Sequence, residues 1–132
     1  MMNALRWLLA ALLAANGLAM LAAPQAWYQA VPGAAATGPL NLHFVRDIGC
    51  AYGVAAAGMA WRARAASGWP AAIAGALFLL MHAGVHVAET LLGICGVDVL
   101  VRDTPGVLLP AVLALVLAAP SSFFNRRNHR AS

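Results

Sequence analysis

The sequence contains no lysine and very few charged residues of any kind. Charged side chains make up 9% of the 132 residues, whereas 63% of the residues are hydrophobic. A soluble domain usually has about 25% charged residues, and a globule of this size could not bury so much apolar surface. Disordered chains are polar and rich in charge, so that class is excluded as well. The class that remains is an integral membrane protein.

The net charge of +4 does not indicate a nucleic-acid partner. It results from four acidic residues against eight basic ones, and every basic residue is an arginine. The arginines are spread along the chain and form no dense patch except in a short C-terminal tail. The sequence also lacks a glycine-rich phosphate loop, a GxSxG motif and a CxxC motif. It therefore gives little reason to expect an enzyme.

Four segments are long and apolar enough to cross a bilayer, which takes about 20 residues of helix. They cover residues 5–23, 41–61, 69–93 and 104–124. The short connections favour antiparallel neighbours, so the sequence predicts one domain over residues 1–132, an all-α transmembrane four-helix bundle. The first segment also has features of a signal peptide, but its length and Pro24 directly after Ala23 favour an uncleaved span.

The arginines predict the orientation, because arginine in short loops stays on the cytoplasmic side. With both termini inside, six of the eight arginines lie inside and only Arg46 and Arg102 lie outside. All four acidic residues then fall in the outer half. Interfacial aromatic anchors are expected at both boundaries, namely Trp7, Trp61 and Trp69 inside and Trp27 and Tyr28 outside. These positions predict a multi-pass protein of a bacterial inner membrane, in contact with lipid.

Small residues recur every four positions in the second segment, at Gly49, Gly53 and Ala57. Such spacing lets helices approach closely in lipid, where packing drives association. The sequence predicts that this face is buried in the bundle, and a helix-mediated homo-oligomer is compatible with the same pattern. The alternative is that the pattern only reflects the abundance of alanine in the chain.

Two polar stripes form the candidate functional site. In the second segment His43, Asp47 and Cys50 have the spacing i, i+4, i+7, and His82, His86 and Glu89 repeat this spacing in the third. Each set occupies one helix face. Ionisable groups inside a span normally face the bundle interior or a water-filled cavity. We therefore expect one outward-open polar pocket, lined by His43, Arg46, Asp47, His82, His86 and Glu89.

Three functions are compatible with such a pocket. The first is a structural ion-pair network in which Arg46 pairs with Asp47 or Glu89, because buried charges persist only when they are paired. The second is a transition-metal or haem site with a role in redox chemistry. Its ligands would come from His43, His82, His86 and Glu89. The third is a small proton-coupled transporter, although no titratable residue continues the path below His82.

Three stretches resemble a group of small four-helix bacterial membrane proteins of unknown function. They are VPGAAATGPLNLHFVRDIGCAYG at residues 31–53, MHAGVHVAETLLGICG at residues 81–96 and RDTPGVLLPA at residues 102–111. The layout is also similar to that of DoxX-like proteins, some of which are linked to redox functions. The resemblance implies a four-helix membrane architecture and assigns no activity to particular residues.

Overall fold

The computed structural model describes residues 1–36 and 38–120, and within them every regular element is helical. The α-helices are α1 Met2–Ala22, α2 Pro24–Ala30, α3 Leu42–Arg64, α4 Trp69–Leu91, α5 Val97–Asp103 and α6 Leu109–Ala118. Short 3-10 turns at Ala34–Ala36 and Ala66–Gly68 precede α3 and α4, and a π-helical turn at Thr104–Leu108 joins α5 to α6. The predicted end of the fourth span and the basic tail fall within residues 121–132, outside the described residues.

Three of the helical segments are long and apolar enough to cross a membrane. They are Met2–Ala22, Ala66–Leu91 and Val97–Ala118. The last begins at Val97 and not at the predicted Thr104, because the π-helical turn carries the helix through Pro105. The helix α3 is 23 residues long but is not among the three. Its sequence includes charged residues near both ends, which lower its mean hydropathy.

Large apolar side chains cover much of the outer surface of these helices. Leu12 and Leu18 of α1 are 59% and 63% exposed, and Val112 of α6 is 56% exposed. A soluble monomer rarely exposes apolar patches of such extent. The outer surface is therefore suited to contact with lipid tails.

The helices begin at residues that favour helix starts. The side chain of Asn41 accepts a hydrogen bond from the backbone N–H of Phe44 at 3.1 Å, which caps the first turn of α3. Pro24 and Pro70 lie in the first turns of α2 and α4, where the missing N–H would have no partner within the helix. The boundaries of these elements thus follow from local sequence.

Glycine permits the close approach of α3 to α1 and to α4. A Cβ added at Gly17 would lie 2.8 Å from the carbonyl oxygen of Gly49, and one added at Gly75 would lie 2.8 Å from the Cα of Ala55. Of the small residues predicted to form a buried face, Gly49 is buried, whereas Gly53 and Ala57 are exposed. The buried face of α3 is therefore rotated relative to the predicted one. The reason is that α3 packs against α1 at Gly49 and against α4 at Ala55.

Two buried arginines hold the end of α6. The Nε of Arg6 in α1 donates to the carbonyl oxygen of Leu117 at 2.9 Å. From α3, Arg62 donates to the carbonyl oxygens of Ala118 and Ala119 at 3.3 and 3.2 Å. Both arginines are only 5–6% exposed. The last carbonyl groups of a helix have no partner within it, and cations also interact favourably with that end of the helix dipole. These contacts tie α1, α3 and α6 together.

We predict that Arg62→Gln lowers the free energy of unfolding by about 2–4 kcal/mol, because two hydrogen bonds from a charged donor to buried carbonyls are lost. The matched control is Arg64→Gln, on the exposed side of the same helix end. It is expected to change stability by less than about 0.5 kcal/mol. Reversible unfolding of the detergent-solubilised protein in SDS, followed by tryptophan fluorescence, measures both. Equal losses would contradict the assigned role of Arg62.

Candidate functional site

A row of aromatic and imidazole rings lies between α3 and α4. The ring of Tyr52 in α3 meets Phe78 of α4 edge-on, with centroids 5.5 Å apart. Phe78 stacks on His82, and His82 meets His86 edge-on at a centroid distance of 5.0 Å. The α4 residues recur every four positions, which places them on one face of the helix. This face of α4 therefore carries one phenyl ring and two imidazole rings toward the interior of the bundle.

His86 continues this row to the last helical segment. Its Nδ1 is 2.9 Å from Oδ2 of Asp103, and Oδ1 of the same carboxylate is 2.9 Å from Nε of Arg102. The Asp103 side chain is 9% exposed, that of His86 23% and that of Arg102 37%. With Asp103 ionised, the ring N–H of His86 donates to one oxygen and the guanidinium to the other. Asp103 thereby joins α4 to α5.

The π-helical turn begins directly after Asp103. The backbone N–H of Leu109 donates to the carbonyl oxygen of Thr104, five residues earlier. Pro105 and Pro110 lie at the starts of this turn and of α6, and neither has a backbone N–H to donate. Such turns within α-helices are often found at functional sites. The hydroxyl of Thr104 donates to the carbonyl oxygen of Leu100 at 2.9 Å, which adds a bond at the junction.

The connection between α2 and α3 contacts this row at its Arg102 end. Gly33 has a φ of 87°, which favours glycine, and the guanidinium of Arg102 lies directly against it. The hydroxyl of Tyr28 donates within the connection to the carbonyl oxygen of Gly38. Trp27 donates from Nε1 to Oδ1 of Asn16 at 2.9 Å, which fixes α2 on α1. Tyr28 and Trp27 therefore have internal partners besides their predicted role as anchors.

The other predicted aromatic anchors lie where the bundle's opposite end would meet an interface. Trp7, Trp61 and Trp69 are 46%, 54% and 43% exposed, near the start of α1, the end of α3 and the start of α4. Amphipathic aromatic rings favour the headgroup level of a bilayer. Their exposure is consistent with that placement.

The predicted pocket residues of α3 lie apart from those of α4. Nε2 of His43 is 3.4 Å from Oδ2 of Asp47, and the two side chains are 87% and 59% exposed. Arg46, also exposed, donates from Nε to the carbonyl oxygen of Leu21 at 3.4 Å. Across the described residues, no hydrogen bond, ion pair or ring contact joins these three to His82, His86 or Glu89. Spacing places residues on one face but does not fix which neighbour that face meets.

The rotation of α3 explains this separation. At 100° per residue, Tyr52 lies about half a turn around the helix from His43, and Ala55 and Met59 lie close to Tyr52. Tyr52, Ala55 and Met59 are buried, so this face meets the rest of the bundle. The stripe of His43 and Asp47 consequently lies on the outer surface of α3, away from the other helices.

The four predicted metal ligands, which include Glu89, are not grouped together either. The Sγ of Cys95 lies 3.9 Å from Oε2 of Glu89 in the turn after α4. Within residues 1–36 and 38–120, no three His, Cys, Asp or Glu side chains are grouped so that they could hold a metal ion. The set of His43, His82, His86 and Glu89 thus does not form one ligand group, because His43 faces outward while His82 and His86 face the bundle interior.

The sequence patterns do not reveal Asp103 and Tyr52 as partners of the histidines. The predicted span of residues 104–124 leaves Asp103 in the connection before it. A helix that continues through Pro105 places Asp103 within the last segment instead. Tyr52 lies on the buried face of α3, and its position opposite Phe78 and His82 depends on how the two helices are rotated.

Comparisons with known proteins give no relative: no family model, no curated protein and no solved structure matches this chain. The resemblance to small four-helix membrane proteins therefore stays a prediction.

We predict that Asp103→Leu lowers the free energy of unfolding by about 1–3 kcal/mol, because the partly buried ring of His86 loses its charged hydrogen-bond partner. Asp98→Leu is the matched control, since Asp98 is an exposed carboxylate on the same short helix. It is expected to change stability by less than about 0.5 kcal/mol. The same SDS unfolding assay measures both variants, and a similar effect of the two would argue against a role for the Asp103 contacts.

Proposed function

We propose that the protein is an antiparallel four-span helical bundle of a bacterial inner membrane, with a structural or accessory role there. Three segments of spanning length and composition support this proposal. The remaining long helix, α3, has 23 residues and packs against both α1 and α4. In this arrangement α3 crosses the membrane with its apolar middle, and its charged residues lie near the two surfaces.

The proposed orientation has both termini on the cytoplasmic side. Arg6, Arg62 and Arg64 lie at the same end of the bundle, because Arg6 and Arg62 both reach the end of α6. The arginines of the tail follow that end in sequence. Arginine favours the cytoplasmic side of short connections. Asp103 and Glu89 then lie toward the outer side.

The structural role is carried by one observation, namely that the buried polar groups have partners. In the described part of the chain, no buried side-chain nitrogen or oxygen lacks a hydrogen-bond partner. The contact of His86 with Asp103 ties α4 to the last helical segment, and the guanidinium of Arg102 pairs with the negative charge of Asp103. A network whose members satisfy one another leaves few polar groups free for a ligand. We infer that this network positions the helices.

A structural role predicts that an apolar replacement of both partners is tolerated. The double variant His86→Leu and Asp103→Leu is expected to recover at least half of the stability lost in Asp103→Leu. The reason is that no buried polar group is left unpaired, and buried ion pairs are often replaceable by apolar residues. The SDS unfolding midpoint measures the recovery. A double variant no more stable than the single one would overturn the structural assignment.

Proton exchange between the outer aqueous phase and the middle of the membrane is a second candidate. The observation that favours it is the continuous row in which His86 contacts both Asp103 and His82. Histidine changes its charge near neutral pH, and carboxylates and imidazoles can relay protons within membranes. The row ends at Tyr52 near the middle of α3, so such exchange would serve a site inside the membrane and would not cross it.

The relay predicts that His82 titrates with external pH only while the row is intact. In wild-type protein in lipid nanodiscs, the imidazole NMR signals of His82 should shift as the bulk pH changes. In the double variant His86→Leu and Asp103→Leu, these shifts should disappear or become slow, because the connection to the outer surface is lost. Unchanged titration of His82 in that variant would exclude the relay, and its stability serves as the folding control.

A further inference from the structure

Arg46 presents a guanidinium that has no acidic partner in the part of the chain that the structure describes. Its Nε donates to the carbonyl oxygen of Leu21 at 3.4 Å. The neighbouring carboxylate of Asp47 is held by His43 instead, and Asp103 pairs with His86 and Arg102. The side chain is exposed. The terminal nitrogens of Arg46 are therefore free to bind an anion from outside the protein.

Arg46 lines a surface cleft between α2 and the start of α3. The cleft has a volume of about 410 Å³ and is open to the outside. Gln25 and Gln29 line it from α2, and Pro24 and Leu42 contribute apolar walls. One guanidinium and two amide groups supply hydrogen-bond donors, and no acidic side chain among the described residues lines the cleft.

The cleft lies at the level where α1 ends. Ala23, the residue after α1, also lines it, and α1 is one of the segments able to cross a membrane. An occupant of the cleft would thus lie at the boundary between the hydrocarbon core and the aqueous phase, whichever side of the membrane this end faces.

We infer that this cleft binds the phosphodiester of an anionic membrane lipid. Arginine binds phosphate oxygens with two parallel hydrogen bonds, which is a strong and directional interaction. A volume of about 410 Å³ exceeds what a single phosphate ion needs and is within the usual range of ligand pockets. The glycerol backbone and the first methylene groups of a lipid can contact the walls at Pro24 and Leu42. The inference does not depend on the role of the His86–Asp103 contact.

Native mass spectrometry of the full-length protein can test the inference with defined probes. The probes are phosphatidylglycerol, diacylglycerol with the same acyl chains, and inorganic phosphate. We expect phosphatidylglycerol to bind with a measurable Kd, whereas diacylglycerol and inorganic phosphate bind at least about tenfold more weakly, because each lacks half of the contacts. Equal binding of diacylglycerol would show that the phosphodiester is not recognised. Equal binding of inorganic phosphate would show that the site takes a free ion and would overturn the lipid assignment.

Two variants and a control assign the binding to this cleft. Arg46→Gln is expected to raise the Kd for phosphatidylglycerol about tenfold, because the charged donor is lost. Arg64→Gln is the matched control, since Arg64 is an exposed arginine at the opposite end of the same helix. Equal losses in both would indicate general charge attraction and overturn the inference.

The second variant, Gln25→Ala with Gln29→Ala, changes only exposed side chains of the cleft wall. It should weaken binding several-fold while leaving the fold intact, and unchanged binding in this variant and in Arg46→Gln would also refute the site.

Discussion

The carbonyl groups at the end of α6 impose a constraint on which much of the structure depends. The last carbonyls of a helix have no donor within it, and a donor from elsewhere must satisfy them where water is scarce. Arg6 and Arg62 supply these donors from two different helices. Because each side chain must reach the same few oxygens, the start of α1, the end of α3 and the end of α6 are brought to one place. The arginines from which the sequence predicts an orientation thus also organise the packing.

The opposite end of the bundle is joined by different chemistry. There the carboxylate of Asp103 connects His86 of α4 with Arg102 of its own helix, and Arg102 lies against Gly33. Between the two polar ends, small residues such as Gly17, Gly49 and Gly75 let the helices approach closely. Small residues allow close contact but provide little directional preference, so the polar groups at both ends are suited to fix how the helices are aligned.

The sequence predicted the helical class and the membrane character well, because these follow from composition and from the length of apolar runs. The spacing of His82 and His86 also placed them on one face of the third segment. It could not give the rotation of α3, since His43 and Tyr52 lie on opposite faces and either face could have met α4. The sequence also did not predict that Asp103 is the partner of His86. A proline ordinarily marks the start or end of a helix, but here the helix continues through Pro105 and includes Asp103. Long-range contacts of this kind are set by packing and leave little trace in local patterns.

The π-helical turn at Thr104–Leu108 has a consequence for how the chain can vary in length. Such a turn holds one residue more than an α-helical turn. Loss of one residue within it can be absorbed by conversion to an ordinary α-helix, which leaves Asp103 in nearly the same direction relative to the packed face at Ala111 and Ala114. A deletion among ordinary α-helical turns would instead rotate the residues on its two sides by about 100° relative to each other. The π-helical turn is therefore the place in the last segment where a one-residue change in length is best tolerated.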